Sequence, residues 1–446
     1  MVNVGGAKRG CGPLADSCKI PCWYAVSGLN YKNGVVSVCA RQSDQLSRYG
    51  KFDPDGKMVP SELYNTEGFK NLRKDLYNGI WNQGCKLCKE AEDFGNRSMR
   101  TDYEYDETFF NPETGEIDPK GLQAIELRFS NACNMACLHC SDVFSSKWTQ
   151  LLKDYDPDHE TKQWDLKQLT GREHRHVQDD GAYDNFQIRL TNPDVDRIVE
   201  DLNKNFPNIW IVDFAGGEVL IQKQFFHALK RLAEHPNKDN FKLRFHSNFN
   251  ADFDPKELAE HLKPFGKTQI TCSIDAGKNI YSYFRWGDWE QMESNIRKFR
   301  EYDTKTELHA TITTSAFQML DIEDVFTSLM ELPFEIIDYS IVQTPYYMAP
   351  NIVMDEHGDD ILQQLDNVRE KVKNSNYWNA EKVRREIINR AVDEIEQFCV
   401  NVISHPDWYK AFKVYIRKVD RLQNKRFNEH YTRYKFDGSE IYLRQT

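Results

Sequence analysis

Ser130-Asn-Ala-Cys-Asn-Met-Ala-Cys-Leu-His-Cys-Ser141 follows directly on the strand-like run Ala124-Ile-Glu-Leu-Arg-Phe129. One loop at a strand end therefore presents Cys133, Cys137 and Cys140 in C-x3-C-x2-C spacing. Thiolates spaced in this way can wrap three corners of a cubane iron–sulfur cluster and leave the fourth iron open to a small chelating molecule. The same short steps also suit three-quarters of a tetrahedral zinc site, because zinc favours four soft ligands.

Composition narrows the setting of that loop. At 446 residues, 40% hydrophobic and 28% charged, the chain can bury a large core across two or three modules and is not disordered in bulk. It has no stretch long enough to span a membrane and no apolar signal-peptide core, so a cytoplasmic location without membrane contact is expected. Nine of the eleven cysteines lie within the first 140 residues. A disulfide framework belongs to small secreted chains, and reduced metal-binding thiolates fit this one better. A net charge of −11 argues against general nucleic-acid binding.

The chain divides into three regions. Residues 1–118 carry six cysteines, many turn residues and little periodicity before the helical run Phe69-Lys-Asn-Leu-Arg-Lys-Asp-Leu-Tyr77. Within 119–345, β-rich runs at 124–129, 209–214, 242–246, 269–274, 307–312 and 336–342 alternate with helical patterns. That alternation predicts an α/β fold with a parallel sheet. The first two strands are linked by a long insertion, 141–208, of the kind that often serves as a lid or substrate-contacting segment. Residues 346–446 read as helices with apolar stripes at 361–372, 387–402 and 408–422. Between Lys410 and Lys435 stand nine Lys or Arg and two acidic residues. Such a face is most simply a solvated one, with an acidic peptide or nucleic acid as the sharper reading.

The second strand runs into Asp213-Phe-Ala-Gly-Gly-Glu-Val-Leu220, where paired glycines let the backbone approach a ligand closely. The cysteine loop followed one strand later by Gly216-Gly217-Glu218 resembles the radical S-adenosylmethionine (SAM) superfamily. The resemblance implies a partial (β/α)6 barrel, with an N-terminal cysteine-rich metal-cluster module and a C-terminal helical region. It implies a [4Fe–4S] cluster on Cys133, Cys137 and Cys140 whose open iron holds SAM. It further implies reductive cleavage of SAM to a 5′-deoxyadenosyl radical and hydrogen-atom abstraction from a substrate. Gly216, Gly217 and Glu218 inherit contacts to the methionyl ammonium. Ser247 and Asn248 at the third strand end, and Ser273 and Asp275 at the fourth, are candidates for ribose and carboxylate contacts. Strand alternation expects Ser273 and Asp275 on one face and Cys272 in the core. Arg285 is a candidate partner of the SAM carboxylate. His139 stands where the family usually has an aromatic residue against adenine, and Ile341 is a candidate for the apolar side of that pocket. Tyr346 and Tyr347, just past the sixth strand, are candidates for meeting a radical.

The N-terminal module reads Cys18-Lys-Ile-Pro-Cys22-Trp, Gly34-Val-Val-Ser-Val-Cys39 and Gly84-Cys85-Lys-Leu-Cys88. This pattern resembles the twitch or SPASM auxiliary-cluster domains of radical SAM enzymes, although those usually follow the barrel. The implied ligands of a second [4Fe–4S] cluster are Cys22, Cys39, Cys85 and Cys88, with Cys18 as the substitute for Cys22 and zinc as the alternative metal. Cys11 is left over as a candidate hydrogen-atom donor, and Cys399 reads as core. By the same resemblance the substrate is a peptide or protein side chain, with a nucleotide, sugar or small metabolite as the alternative. A flavodoxin or ferredoxin is the expected electron donor. A zinc-stapled binding protein without redox chemistry is the remaining reading.

Overall fold

The computed structural model describes residues 28–32, 35–37, 59–82, 85–93, 98, 107–140, 144–155, 190–343 and 345–432. Its backbone falls into two compact units. The first comprises 1–130, 186–245 and 260–268; the second comprises 131–185, 246–259 and 269–446.

All six predicted strands of the α/β region form: β3 (Ala124–Arg128), β4 (Ile211–Phe214), β5 (Lys242–Ser247), β6 (Lys267–Ser273), β7 (Glu307–Thr314) and β8 (Ile336–Ile341). Two strands precede them, β1 (Gly28–Lys32) and β2 (Val35–Ser37). The sheet order is β2-β1-β3-β4-β5-β6-β7-β8. From β3 to β8 it is a parallel α/β sheet of six strands with helices, consistent with a partial (β/α)6 barrel. The alternation of β7 is visible in its burial: Leu308, Ala310 and Ile312 are fully buried while the residues between them are not. Cys272 on β6 is core, as its position on the strand predicts.

The strands β1 and β2 lie in residues 1–118, where the sequence shows little regular periodicity before the helical run at 69–77. β1 pairs in parallel with β3, Gly28 opposite Ala124 through Lys32 opposite Arg128, and β2 returns antiparallel to it. Strands of five and three residues offer too few alternations to be seen in sequence.

The helices start and pack where sequence chemistry directs. In the first unit, α1 (Glu67–Tyr77) buries Phe69, Leu72 and Leu76. The CxxC pair falls at the start of α2 (Lys86–Asp93). The cysteine loop leads into α3 (Ser146–Tyr155). A capping box between Thr191 and Asp194 starts α4 (Asn192–Asn205), and Val195, Ile198, Val199 and Leu202 form its buried stripe. The next helix, α5 (Lys223–Leu232), buries Phe225, Ala228, Leu229 and Leu232. Phe225 meets Phe214 of β4 and Phe245 of β5 edge-on, at centroid distances of 5.1 and 5.0 Å.

The chain continues through α6 (Pro255–Leu262), the short α7 (Tyr281–Phe284), α8 (Trp289–Tyr302) and α9 (Ile322–Met330). The side chain of Asp288 caps α8, which buries Trp289, Met292, Ile296 and Phe299. The C-terminal region is helical as expected, with α10 (Met354–Asn374), α11 (Lys382–Asn401), α12 (Pro406–Gln423) and α13 (Phe427–His430). Ile361, Leu365, Val368 and Val372 of α10 are buried, as are Ile388, Ala391, Ile395 and Cys399 of α11. Val402, by contrast, lies beyond the end of α11 and is 41% exposed, so the second stripe stops short of it. No helix among the described residues is long and apolar enough to cross a membrane.

Candidate functional site

The cysteine loop is anchored by its own intervening residues. Met135, Ala136 and Leu138 are buried, so Cys137 is drawn inward while Cys133 and Cys140 remain half-buried. Fully burying a Met or Leu side chain stabilises such a loop by about 1.5–3 kcal/mol each. Its backbone is held at each interval. The Ser146 hydroxyl accepts from Cys133 N at 3.1 Å, Ser145 Oγ donates to Met135 O at 2.6 Å, and Trp148 Nε1 donates to Cys137 O at 2.9 Å. Leu138 N donates to Phe284 O at 3.0 Å, and the Tyr415 hydroxyl donates to Leu138 O at 2.9 Å. Burial pushes the Tyr415 phenol well above its usual range, which keeps it a donor.

Side chains beyond the loop complete this frame within the second unit. Asn134 Nδ2 donates to Asn250 O at 2.7 Å, and Asn248 Nδ2 donates to Asn134 Oδ1 at 3.0 Å. The end of β5 is thus tied to the residue after the first cysteine. Asn248 Oδ1 also accepts from Asn250 N, and Ser247 Oγ accepts from Phe249 N. Both expected SAM contacts are buried and shape the turn after β5. Ser273 is the last, half-buried residue of β6, and Ile341 is the half-buried end of β8.

Asp275 departs from the expected alternation with Ser273. The strand ends at Ser273, and Asp275 adopts a left-handed backbone with φ of 56°. Its carboxylate accepts from Arg285 Nη1 at 2.5 Å and from Thr313 N at 2.7 Å, and its carbonyl accepts from Gln318 Nε2 at 2.7 Å. Arg285, expected separately at the SAM carboxylate, is therefore paired with Asp275, and both are buried. His139 Nε2 lies 3.4 Å from the same carboxylate, and the imidazole stacks on Phe284 with centroids 5.3 Å apart and planes at 20°. Phe284 thus covers one face of the ring expected against adenine.

Cys137 Sγ lies 3.7 Å from Arg285 O. Burial pushes the Cys137 thiol far up, while the Arg285 guanidinium draws it down. A metal would supply the remaining stabilisation of the thiolate.

In the first unit, Gly216 and Gly217 take left-handed backbones with φ of 92° and 58°. A Cβ at Gly216 would stand 3.0 Å from the carbonyl of Ser130, the residue that leads into the cysteine loop. Glu218 is buried, and its Oε1 accepts from Leu220 N at 3.0 Å, capping the turn that follows. Gln222 Nε2 donates to the carbonyls of Gly216 and Glu218.

Cys85 and Cys88 lie just before and within the first turn of α2, three residues apart on one face, and both are half-buried. Cys11, Cys18, Cys22 and Cys39 lie outside the described residues, as does most of the insertion, 156–189. Tyr346 is exposed and stacks on Trp408 at 4.9 Å, whereas Tyr347 is buried with its ring 5.5 Å from that of Tyr415.

Trp148, Asn134, Asn250, Gln318 and Tyr415 were not singled out as site residues in the sequence. Tyr415 was visible only as a member of an apolar stripe, and its contact spans 277 residues.

Residues 127–325 match the family model described as the Radical SAM superfamily. Over this segment the chain is similar to radical SAM domains. A comparison with curated proteins finds no match. Among solved structures, the chain is similar to anSMEcpe with bound AdoMet, at 15% identity over 56% of this chain and 62% of that one, with a TM-score of 0.35. It is similar to Streptococcus suis SuiB bound to S-adenosylmethionine, at 16% identity over 67% and 62% of the two chains, with a TM-score of 0.32. It is also similar to the methyltransferase TsrM from Kitasatospora setae, at 13% identity over 50% and 36%, with a TM-score of 0.31. The chain thus spans less than two thirds of the length of each of these three proteins.

A radical SAM domain implies a [4Fe–4S] cluster and SAM, and the donor set here fits them. Among the described residues, no three His, Cys, Asp or Glu side chains are grouped to hold a metal ion. A cubane does not ask for that, because each thiolate binds a different iron. Three thiols on one fixed loop suit such a cluster. The buried Nε of Arg285 has no hydrogen-bond partner among the described residues, a cationic donor left over after the Asp275 pairing.

Proposed function

We propose that this chain is a radical SAM enzyme that abstracts a hydrogen atom from a peptide or protein side chain. Cys133, Cys137 and Cys140 would hold the cluster, which together with SAM would supply one-electron cleavage of the sulfonium. The observation that carries the reading is the loop itself: three thiols whose backbone is fixed by Ser145, Ser146, Trp148 and Tyr415. A cofactor site needs that kind of preorganisation.

The chain's own residues have the following roles in this account. Arg285 favours the ionised form of Cys137 and offers its spare Nε to a carboxylate, while Asp275 holds the guanidinium in place. Buried Met135 and Leu138, with Trp148 and Phe284, keep water from the loop's inner side. The left-handed backbone at Gly216 and Gly217 and the carboxylate of Glu218 receive an ammonium. Ser247, Asn248, Ser273, His139 and Ile341 contribute the remaining SAM contacts. Cys85 and Cys88, with Cys22 (or Cys18) and Cys39, hold a second [4Fe–4S] cluster, zinc being the alternative. Cys11, Tyr346 and Tyr347 are the candidates for quenching a substrate radical. A flavodoxin or ferredoxin supplies the electron.

The test is the triple variant C133A/C137A/C140A, purified anaerobically and supplied with dithionite and SAM. Loss of 5′-deoxyadenosine with iron retained at the N-terminal cysteines supports the assignment, and continued formation contradicts it. Supplying peptide pools and small-metabolite pools to the wild type decides the substrate class by which of them consumes SAM in step with product.

A further inference from the structure

We infer that the basic groove at the C-terminal end of α12 and the start of α13 is the docking surface of an acidic one-electron donor protein. The inference rests on the radical SAM reading above and assigns a place to its electron supply. The groove is a cavity of about 640 Å³ whose lining includes Lys413, Arg417, Arg421, Lys425 and Arg426; Lys413 Nζ pairs with Glu356 at 3.7 Å and Lys425 Nζ is turned inward to Ser282 O, so Arg421 and Arg426 carry the outward charge. Its two acidic lining residues are Asp420 and Glu429. Asp420 is committed inward, its carboxylate accepting from the Tyr283 hydroxyl and from Phe427 N, both at 2.9 Å. Arg421 and Arg426 are exposed and make no side-chain hydrogen bond or ion pair among the described residues.

Charge complementarity selects the partner. The whole chain carries a net −11, whereas the groove lining holds five Lys or Arg against two acidic residues, so an acidic protein is favoured here over the chain's average. A local patch of opposite sign orients an encounter as well as strengthening it. Such steering acts within about 10 Å at 0.1 M salt, which makes it salt-sensitive.

The groove's helix is also in contact with the cluster loop. Tyr415, between groove residues Lys413 and Ile416, donates to Leu138 O in the stretch between Cys137 and Cys140. Gln423 Nε2 donates to Tyr283 O at 3.0 Å and Lys425 Nζ to Ser282 O at 2.6 Å, holding α7. The last residue of α7, Phe284, accepts from Leu138 N. A donor seated in the groove therefore stands over a hydrogen-bonded connection to the loop. One electron leaves the donor, which is oxidised by one, and the cluster is reduced by one; no atom is transferred.

The test uses the anaerobically purified wild type and R421E/R426E, with a bacterial flavodoxin as the probe. Flavodoxin affinity is read by calorimetry, and the rate of cluster bleaching is read with reduced flavodoxin and, separately, with photoreduced deazaflavin. The expected result is a fall of about tenfold or more in affinity and in flavodoxin-driven rate at low salt. The deazaflavin-driven rate should be unchanged, and R421K/R426K should restore the wild-type values. Retention of the flavodoxin-driven rate in the charge-reversed variant overturns the inference. So does an equal fall with both reductants, or flavodoxin binding unaffected while nucleic acid or an acidic peptide is lost. If the wild type bleaches with deazaflavin but cleaves no SAM, the radical SAM reading fails, and the groove assignment falls with it.

Discussion

Arg285 Nη1 lies 2.5 Å from Asp275 Oδ2, with both side chains buried beside the cysteine loop. Burying the pair costs desolvation that their attraction only partly repays, whereas removing one partner strands the other charge in the interior. D275A is expected to destabilise the apoprotein by about 3–5 kcal/mol. The double variant D275A/R285M is expected to lose less than the sum of the two single changes, measured by denaturant unfolding. Additive losses would mean that the two residues act independently.

Tyr415→Phe removes the donor to the Leu138 carbonyl and little volume. Leaving a buried carbonyl unsatisfied costs about 1–3 kcal/mol. Beyond that loss of stability, iron should leave the variant faster under a chelator than it leaves the wild type. Equal release rates would reduce Tyr415 to an ordinary packing residue.

Gly216→Ala places a Cβ 3.0 Å from the Ser130 carbonyl at a φ of 92°. Strain of this kind costs about 1–3 kcal/mol. The expected readout is weakened SAM binding at unchanged iron content. A variant with wild-type SAM affinity would remove the Gly-Gly-Glu turn from the site.

His357 gives a pH dependence of known sign. Its Nε2 lies 3.0 Å from the Tyr409 hydroxyl, and burial holds its pKa below the usual value against the opposing pull of Glu356 and Asp360. The unfolded chain therefore takes up this proton near pH 6.5 while the folded chain resists it. Its contribution to stability is complete above about pH 6.5 and is lost as pH falls through the lower folded pKa. The apoprotein's Tm should drop more between pH 7.5 and 5.5 for the wild type than for H357Q. An equal drop in the two contradicts the assignment.

These residues also mark what sequence reasoning reaches. The six barrel strands and the helical C-terminal region were legible because period-two and period-3.6 burial recurs along them, as in β7 and α10. The cysteine loop was legible because its chemistry is local. Asp275 was placed on the face of Ser273 because alternation was carried past the strand's end, where the backbone turns left-handed. Arg285 and Asp275 were each assigned to the ligand, since their pairing across ten residues has no periodic signature. Trp148 and Tyr415 reach the loop through side-chain tips, one from the next helix and one from near the chain's end. Apolar stripes report burial and not which hydroxyl finds which carbonyl.

The most direct measurement is anaerobic purification of the full chain with iron, sulfide and zinc analysis, followed by addition of dithionite and SAM and mass detection of 5′-deoxyadenosine. The account expects about eight irons per chain and deoxyadenosine that disappears in C133A/C137A/C140A. Four irons with zinc would keep the radical chemistry and make the N-terminal cysteines a zinc site. A colourless protein holding zinc alone, with SAM left intact, would contradict it.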